Sequence, residues 1–232
     1  MPFPAVHPAL DRALANKGYA EPTPVQAAVL EGHGEQDLLV SAQTGSGKTV
    51  AFGLAAGGSL LGEAETFGPA DAPLALAIAP TRELALQVAQ ELSWLYAEAG
   101  AKITTCVGGM DARKEARALN FGVHIVVGTP GRLTDHIERE NLDLSALKVL
   151  VLDEADEMLD MGFREDLEFI LDQSPPKRRT LLFSATIARE IATLAKRYQR
   201  DAVRIDATDK SRPHGDIEYR ALRIAPNEIE HA

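Results

Sequence analysis

Leu38-Leu39-Val40-Ser41-Ala42-Gln43-Thr44-Gly45-Ser46-Gly47-Lys48-Thr49 is a short apolar run that leads into a glycine-rich loop and then a helical pattern. A loop of this kind, after a strand and opening a helix, is built to bind phosphate. Its glycines let backbone N–H groups turn inward around phosphate oxygens, and the helix N-terminus adds partial positive charge. Lys48 is placed to reach the β- and γ-phosphates of a nucleotide, and the Thr49 hydroxyl to ligate Mg²⁺. Ala42 stands where the general pattern begins with glycine. A mere turn with a solvated lysine would not require the strand before it.

Outward from this loop the alternation repeats. Apolar runs rich in Val, Ile and Leu at 37–41, 74–79, 102–107, 124–128, 148–152, 180–183 and 202–205 predict strands buried on both faces. Helical patterns lie between them. Thr81 is an N-cap for a helix over 82–99 that Gly100 ends, and Pro24 follows Thr23 at a first helical position. Residues 62–73 read as a surface loop. The pattern predicts an α/β fold with a mostly parallel central sheet, helices on both faces and ligands at the carboxyl ends of the strands. Residues 1–207 read as one domain. The stretch 208–213 is polar and linker-like, Ile217, Tyr219, Ala221 and Ile224 suggest a strand, and Pro226-Asn227-Glu228 a helix start. Residues 208–232 are therefore expected to be a linker and the truncated start of a second domain.

A second site lies where Val149-Leu150-Val151-Leu152 meets Asp153-Glu154-Ala155-Asp156. A carboxylate at the end of a buried strand facing a phosphate loop is a second Mg²⁺ anchor, and Asp153 is placed for it, through a metal-bound water. Glu154 is the candidate to orient and deprotonate an attacking water. Taken alone, the tetrapeptide is also readable as an acidic first turn of a helix.

The composition excludes several classes. Of 232 residues, 45% are hydrophobic and 25% charged, which excludes wholesale disorder. No apolar run approaches the roughly 18–20 residues that span a bilayer, and the first residues lack the pattern of a secretory signal. The single cysteine, Cys106, excludes an internal disulfide framework and fits a reducing cytoplasm. It reads as a small core residue; Trp94 and Phe163 read as packing residues, and no histidine spacing suggests a metal site. The net charge of −10 argues against a general nucleic-acid coat. That acidity is local: residues 153–172 carry nine acids and one base, whereas 173–207 carry eight bases and three acids.

The phosphate loop and the acidic tetrad together resemble the signature of the DEAD-box family of ATP-dependent RNA helicases. Other stretches resemble its remaining motifs in the family's order. Gly18-Tyr19-Ala20-Glu21-Pro22-Thr23-Pro24-Val25-Gln26 is similar to the Q motif, in which the Gln26 amide can donate to and accept from the adenine edge. Pro80-Thr81-Arg82-Glu83-Leu84-Ala85 resembles motif Ia, Gly108-Gly109 the glycine doublet, Thr129-Pro130-Gly131-Arg132 motif Ib and Ser184-Ala185-Thr186 motif III. Each of these alone reads as well as a helix cap or a turn. The resemblance covers about residues 1–207, the family's first RecA-like domain.

The resemblance implies a set of roles. ATP would be held by Tyr19, Thr23, Gln26 and the loop residues Ala42, Gln43, Thr44, Gly45, Ser46, Gly47, Lys48 and Thr49, with Mg²⁺ on Thr49 and Asp153. Glu154, Asp153 and Lys48 would be catalytic. Pro80, Thr81, Arg82, Gly108, Gly109, Thr129, Pro130 and Arg132 would contact RNA backbone without reading bases. Asp156, Ser184 and Thr186 would couple the two sites. The family's adenine-stacking aromatic falls near Met1 here, where the nearest ring is Phe3. Nothing resembles the family's second-domain motifs, including the arginine finger, so this chain is expected to bind ATP weakly, hydrolyse it very poorly and unwind nothing. A cytoplasmic monomer is expected. The activity implied is ATP-driven local RNA unwinding; an ATP-gated RNA clamp uses the same residues. A DNA helicase or translocase shares the phosphate loop but not this Q motif or tetrad.

Overall fold

Among the described residues seven strands, β1 (Leu38–Ser41), β2 (Ala75–Ile78), β3 (Ile103–Cys106), β4 (Ile125–Gly128), β5 (Val149–Leu152), β6 (Arg179–Ser184) and β7 (Val203–Asp206), pair into one sheet in the spatial order β3-β4-β2-β5-β6-β1-β7. Every pairing is parallel, with Ser41 opposite Ser184 and Ile78 opposite Leu152. The structure is a computed structural model and describes residues 3–4 and 6–207. The strand and helix read from the sequence beyond residue 208 lie outside the described residues.

Successive strand residues point to opposite faces, and each face has its own core. Leu38, Val40, Ala75, Ala77, Val149 and Val151 pack with α1 (Pro8–Lys17), α2 (Pro24–Leu30), α3 (Lys48–Leu61) and α4 (Arg82–Leu95). Leu39, Leu76, Ile78, Leu150 and Leu152 face the other way. They pack with Leu119 of α5 (Ala112–Asn120), Leu133 of α6 (Pro130–Glu138), Met158 of α7 (Ala155–Asp160), Ile170 of α8 (Arg164–Gln173) and Ile191 of α9 (Arg189–Tyr198). This explains the unbroken apolar runs of the central strands. The edge strands differ from the expectation of burial on both faces. β3 and β7 each pair on one side only, and residues of both are partly exposed.

The helix starts follow local chemistry. Thr23 and Gln26 form a capping box on α2, the Thr81 hydroxyl accepts from the Leu84 N–H, and Asp111 accepts from the N–H groups of Arg113 and Lys114. The helix expected over 82–99 stops earlier, at Leu95. The buried Tyr96 ring ends it, with its hydroxyl donating to the Gly53 carbonyl at 2.6 Å, and the chain turns through Gly100 in the left-handed region. The loop over 62–73 is tied down by Phe67, which stacks on His124 at 4.5 Å. Among the described residues no helix is long and apolar enough to cross a membrane.

The topology sorts the candidate residues. β1, β5 and β6 are the strands that lead into the phosphate loop, the acidic tetrad and Ser184-Ala185-Thr186. β2, β4 and β3, on the other half of the sheet, lead into Pro80-Thr81-Arg82, Thr129–Arg132 and Gly108-Gly109.

Candidate functional site

The loop after β1 bends through Gly45 and Gly47, at φ 79° and 89°. A side chain at Gly47 would also place its Cβ 2.7 Å from Gln26 Nε2, so both backbone angle and space demand glycine there. Lys48 opens α3 with its side chain buried. Its Nζ donates to the Ala42 carbonyl at 3.3 Å and pairs with Glu154 Oε1 at 2.6 Å. The Thr44 hydroxyl donates to the same oxygen at 2.9 Å. The lysine expected on phosphate and the glutamate expected on water are thus bound to each other. Ala42 is fully buried, and its N–H donates to the Ser184 carbonyl at 3.0 Å, which ties the loop to β6. The Ser46 hydroxyl donates to the Gln43 carbonyl at 2.7 Å. Thr49 follows Lys48 in the first turn of α3.

Asp153 sits at the end of β5, 2% exposed, and its carboxylate accepts from the Glu154 N–H at 3.1 Å. Burial pushes its carboxyl up to about 7, against the pull of Lys48, and the Glu154 charge adds to the rise. Glu154 has left-handed backbone at φ 51° and caps α7. A non-glycine residue held there stores backbone strain, which aims its carboxylate back at the loop.

Gln26 is 1% exposed, and both ends of its amide have protein partners. Its oxygen accepts from the Thr23 N–H at 2.9 Å and its nitrogen donates to the Gly47 carbonyl at 3.3 Å. Gln26 here joins α2 to the phosphate loop. Tyr19 stacks on Trp94, ring centroids 5.4 Å apart, and Phe3 packs against the core of that face.

Asp156 meets motif III directly. Its Oδ2 accepts from the Thr186 N–H at 2.9 Å and hydroxyl at 3.0 Å, and its N–H donates to Ser184 Oγ at 3.3 Å. Burial alone would raise this carboxyl; the bonds from Ser184 and Thr186 outweigh it and hold it below the usual range.

On the other half of the sheet edge, Thr81, Arg82, Gly108, Gly109, Thr129 and Arg132 are exposed or half-buried. Pro80 and Pro130 are buried. Proline has no N–H to offer an anion; Pro130 serves as the first residue of α6.

A family model described as "DEAD/DEAH box helicase" matches residues 23–194. The chain belongs to this family. Among curated DEAD-box relatives, "DEAD-box ATP-dependent RNA helicase 9" from Oryza sativa is 44% identical over 203 residues, 87% of this chain and 32% of that protein. "DEAD-box ATP-dependent RNA helicase CshA" from Bacillus licheniformis is 40% identical over 217 residues, 93% of this chain and 43% of that protein. A solved DEAD box protein from Methanococcus jannaschii superposes with a TM-score of 0.79 at 40% identity, covering 88% of this chain and 55% of the other. The chain thus spans a third to two-fifths of these curated relatives, and its fold is the RecA-like domain of DEAD-box proteins.

The DEAD-box motifs left one cluster unseen. Cys106, Glu115 and His136 are buried with their potential ligand atoms within 4.8 Å of one another, though no short spacing relates them. A signal was present: Glu115 lies four residues before the buried Leu119, on the inward face of α5. A carboxylate at such a position needs partners, and Arg132 and His136 supply them.

Proposed function

We propose that this chain is the ATP- and RNA-binding first domain of an ATP-dependent RNA helicase, acting with a second RecA-like domain in cis. The observation that carries this reading is the shared sheet edge: the phosphate loop and acidic tetrad stand beside the exposed RNA-type residues, and Asp156 bonds Thr186 between β5 and β6.

ATP phosphates entering the loop compete with the Glu154 carboxylate for the Lys48 ammonium, which already donates to Glu154 and to the Ala42 carbonyl. Released, the Glu154 carboxylate accepts a proton from the water that attacks the γ-phosphorus, and the bond to the ADP oxygen breaks. Tyr19, Thr23 and Gln26 border the adenine end, where Gln26 must trade a protein partner for the base. The donor set also fits a hard cation: Asp153 is a buried carboxylate at the loop, with the Thr49 hydroxyl nearby in sequence to Lys48. Thr49 and Asp153 would hold Mg²⁺, which neutralises phosphate charge when bound. Thr81, Arg82, Gly109, Thr129 and Arg132 bind phosphate and sugar of RNA regardless of sequence. A reducing cytoplasm suits the single buried cysteine.

A second RecA-like domain in cis would supply an arginine finger, worth roughly 10³–10⁵ in rate. The test is RNA-stimulated ATPase activity of this chain and of the chain extended through a second domain. Near-background turnover alone and strong RNA stimulation when extended are expected. High RNA-stimulated turnover by the short chain would overturn the reading.

A further inference from the structure

Glu115 is the only acidic residue of α5, and it is buried. A buried carboxylate is tolerated only when its lone pairs are taken. Oε1 accepts from the Val107 N–H at 3.0 Å, and Oε2 accepts from Arg132 Nη1 at 2.7 Å and from His136 Nε2 at 2.8 Å. Asn141 Nδ2 lies 3.4 Å from His136 Nδ1, so both ring nitrogens have a partner. One carboxylate therefore ties the end of β3 to α5 and α6. Arg132 Nη1 also donates to the Met110 carbonyl at 3.2 Å, immediately after Gly108-Gly109. Across the doublet, Arg82 Nη1 lies 3.1 Å from where a Gly109 Cβ would stand. The two guanidiniums flank the exposed glycines, and among the described residues the other donors of Arg132 have no protein partner.

We propose that Glu115 is a positioning residue for RNA binding: its carboxylate, steadied by Val107 and His136, holds Arg132 beside Gly108-Gly109 in the orientation that receives a backbone phosphate. This rests on the RNA reading given above. An unrestrained arginine surrenders much side-chain freedom when it binds, whereas one already held surrenders little. The neighbouring Cys106 does not turn the cluster into a metal centre. Burial and the Glu115 charge push its thiol up to about 12, and Arg132 already serves Glu115 as its cation.

The test compares Glu115→Met with Glu115→Gln, titrating this chain into a fluorescent single-stranded RNA oligonucleotide. Both variants have about the length of glutamate and remove the same charge; only Gln keeps an oxygen that accepts from Arg132. Removing a carboxylate from an RNA face should by charge alone tighten binding in both. Positioning instead makes the Met variant bind RNA about tenfold more weakly than the Gln variant, with ATP affinity equal in the two. In an Arg132→Ala background the difference between Met and Gln is expected to vanish. Equal RNA binding by the two variants when Arg132 is present would overturn the proposal. So would a difference that persists without Arg132, since Glu115 would then support only the fold. If Arg132→Ala alone left RNA affinity unchanged, the RNA reading of this face would fall, and the proposal with it.

Discussion

Lys48 pairs with Glu154 at 2.6 Å in the nucleotide half of the sheet edge, and Arg132 pairs with Glu115 at 2.7 Å in the RNA half. The pairs look alike, but the acids are held differently. Glu154 sits on left-handed backbone, and apart from Lys48 its carboxylate is held by one hydroxyl, that of the exposed Thr44. Glu115 keeps a backbone N–H and a buried imidazole if its arginine is drawn away. Under the proposed function, a phosphate that captures Lys48 would free Glu154 for chemistry. A phosphate that meets Arg132 leaves Glu115 in place. The first pair is exchangeable and the second is a mount.

The largest expected effect separates them at once. In the two-domain protein, Glu154→Gln removes the proton acceptor and should slow hydrolysis by roughly 10²–10⁴. ATP affinity should be equal or tighter, because the carboxylate that competes for Lys48 is gone; weaker ATP binding in a nucleotide titration would break the exchange account. Next, Lys48→Ala should cost about a hundredfold in ATP affinity, the usual scale for truncating one partner of a buried charge pair. Equal affinity of the two forms would remove the phosphate-loop reading. The Glu115 pair of variants follows, with about a tenfold difference in RNA affinity and none in ATP affinity.

The smallest effect is a pH dependence in the nucleotide half. Burial keeps the Asp153 carboxyl protonated up to about 7, well above its value in an unfolded chain. The folded chain thus holds a proton that the unfolded chain has released, and this group's contribution to stability falls as pH rises through that window. Mg²⁺ needs the carboxylate, so Mg²⁺-dependent nucleotide affinity should rise a few-fold from about pH 6 to pH 8. A flat Mg²⁺ profile in calorimetry would take Asp153 out of the metal site.

What the sequence disclosed differs between the halves in the same way. The phosphate loop is a local object: strand, glycines, lysine and helix are contiguous, so its fold could be read from residues 38–49. The acidic tetrad could be read because it ends a buried strand. The Glu115 mount joins residues 107, 115, 132 and 136, which meet only because β3 and β4 are neighbours in the sheet. Gln26 was legible within its motif, but its bond to the carbonyl of Gly47, 21 residues away, was not. The burial of Pro80 and Pro130 likewise reflects packing around the strand ends that no local pattern encodes. The end of α4 was missed because Tyr96 is drawn into the core by a contact with Gly53, on another helix.

The proposed coupling of nucleotide to RNA runs through Asp156 and Thr186, which join the ends of β5 and β6 within the nucleotide half. Its most direct test is RNA affinity measured with and without a non-hydrolysable ATP analogue, in the chain extended through its second domain, for the native sequence and for Thr186→Ala. The expected result is that the analogue tightens RNA binding at least about tenfold in the native protein, within the usual range of coupling between sites, and has little effect in the variant. Equal tightening in both would contradict the link, and no tightening in either would contradict the function.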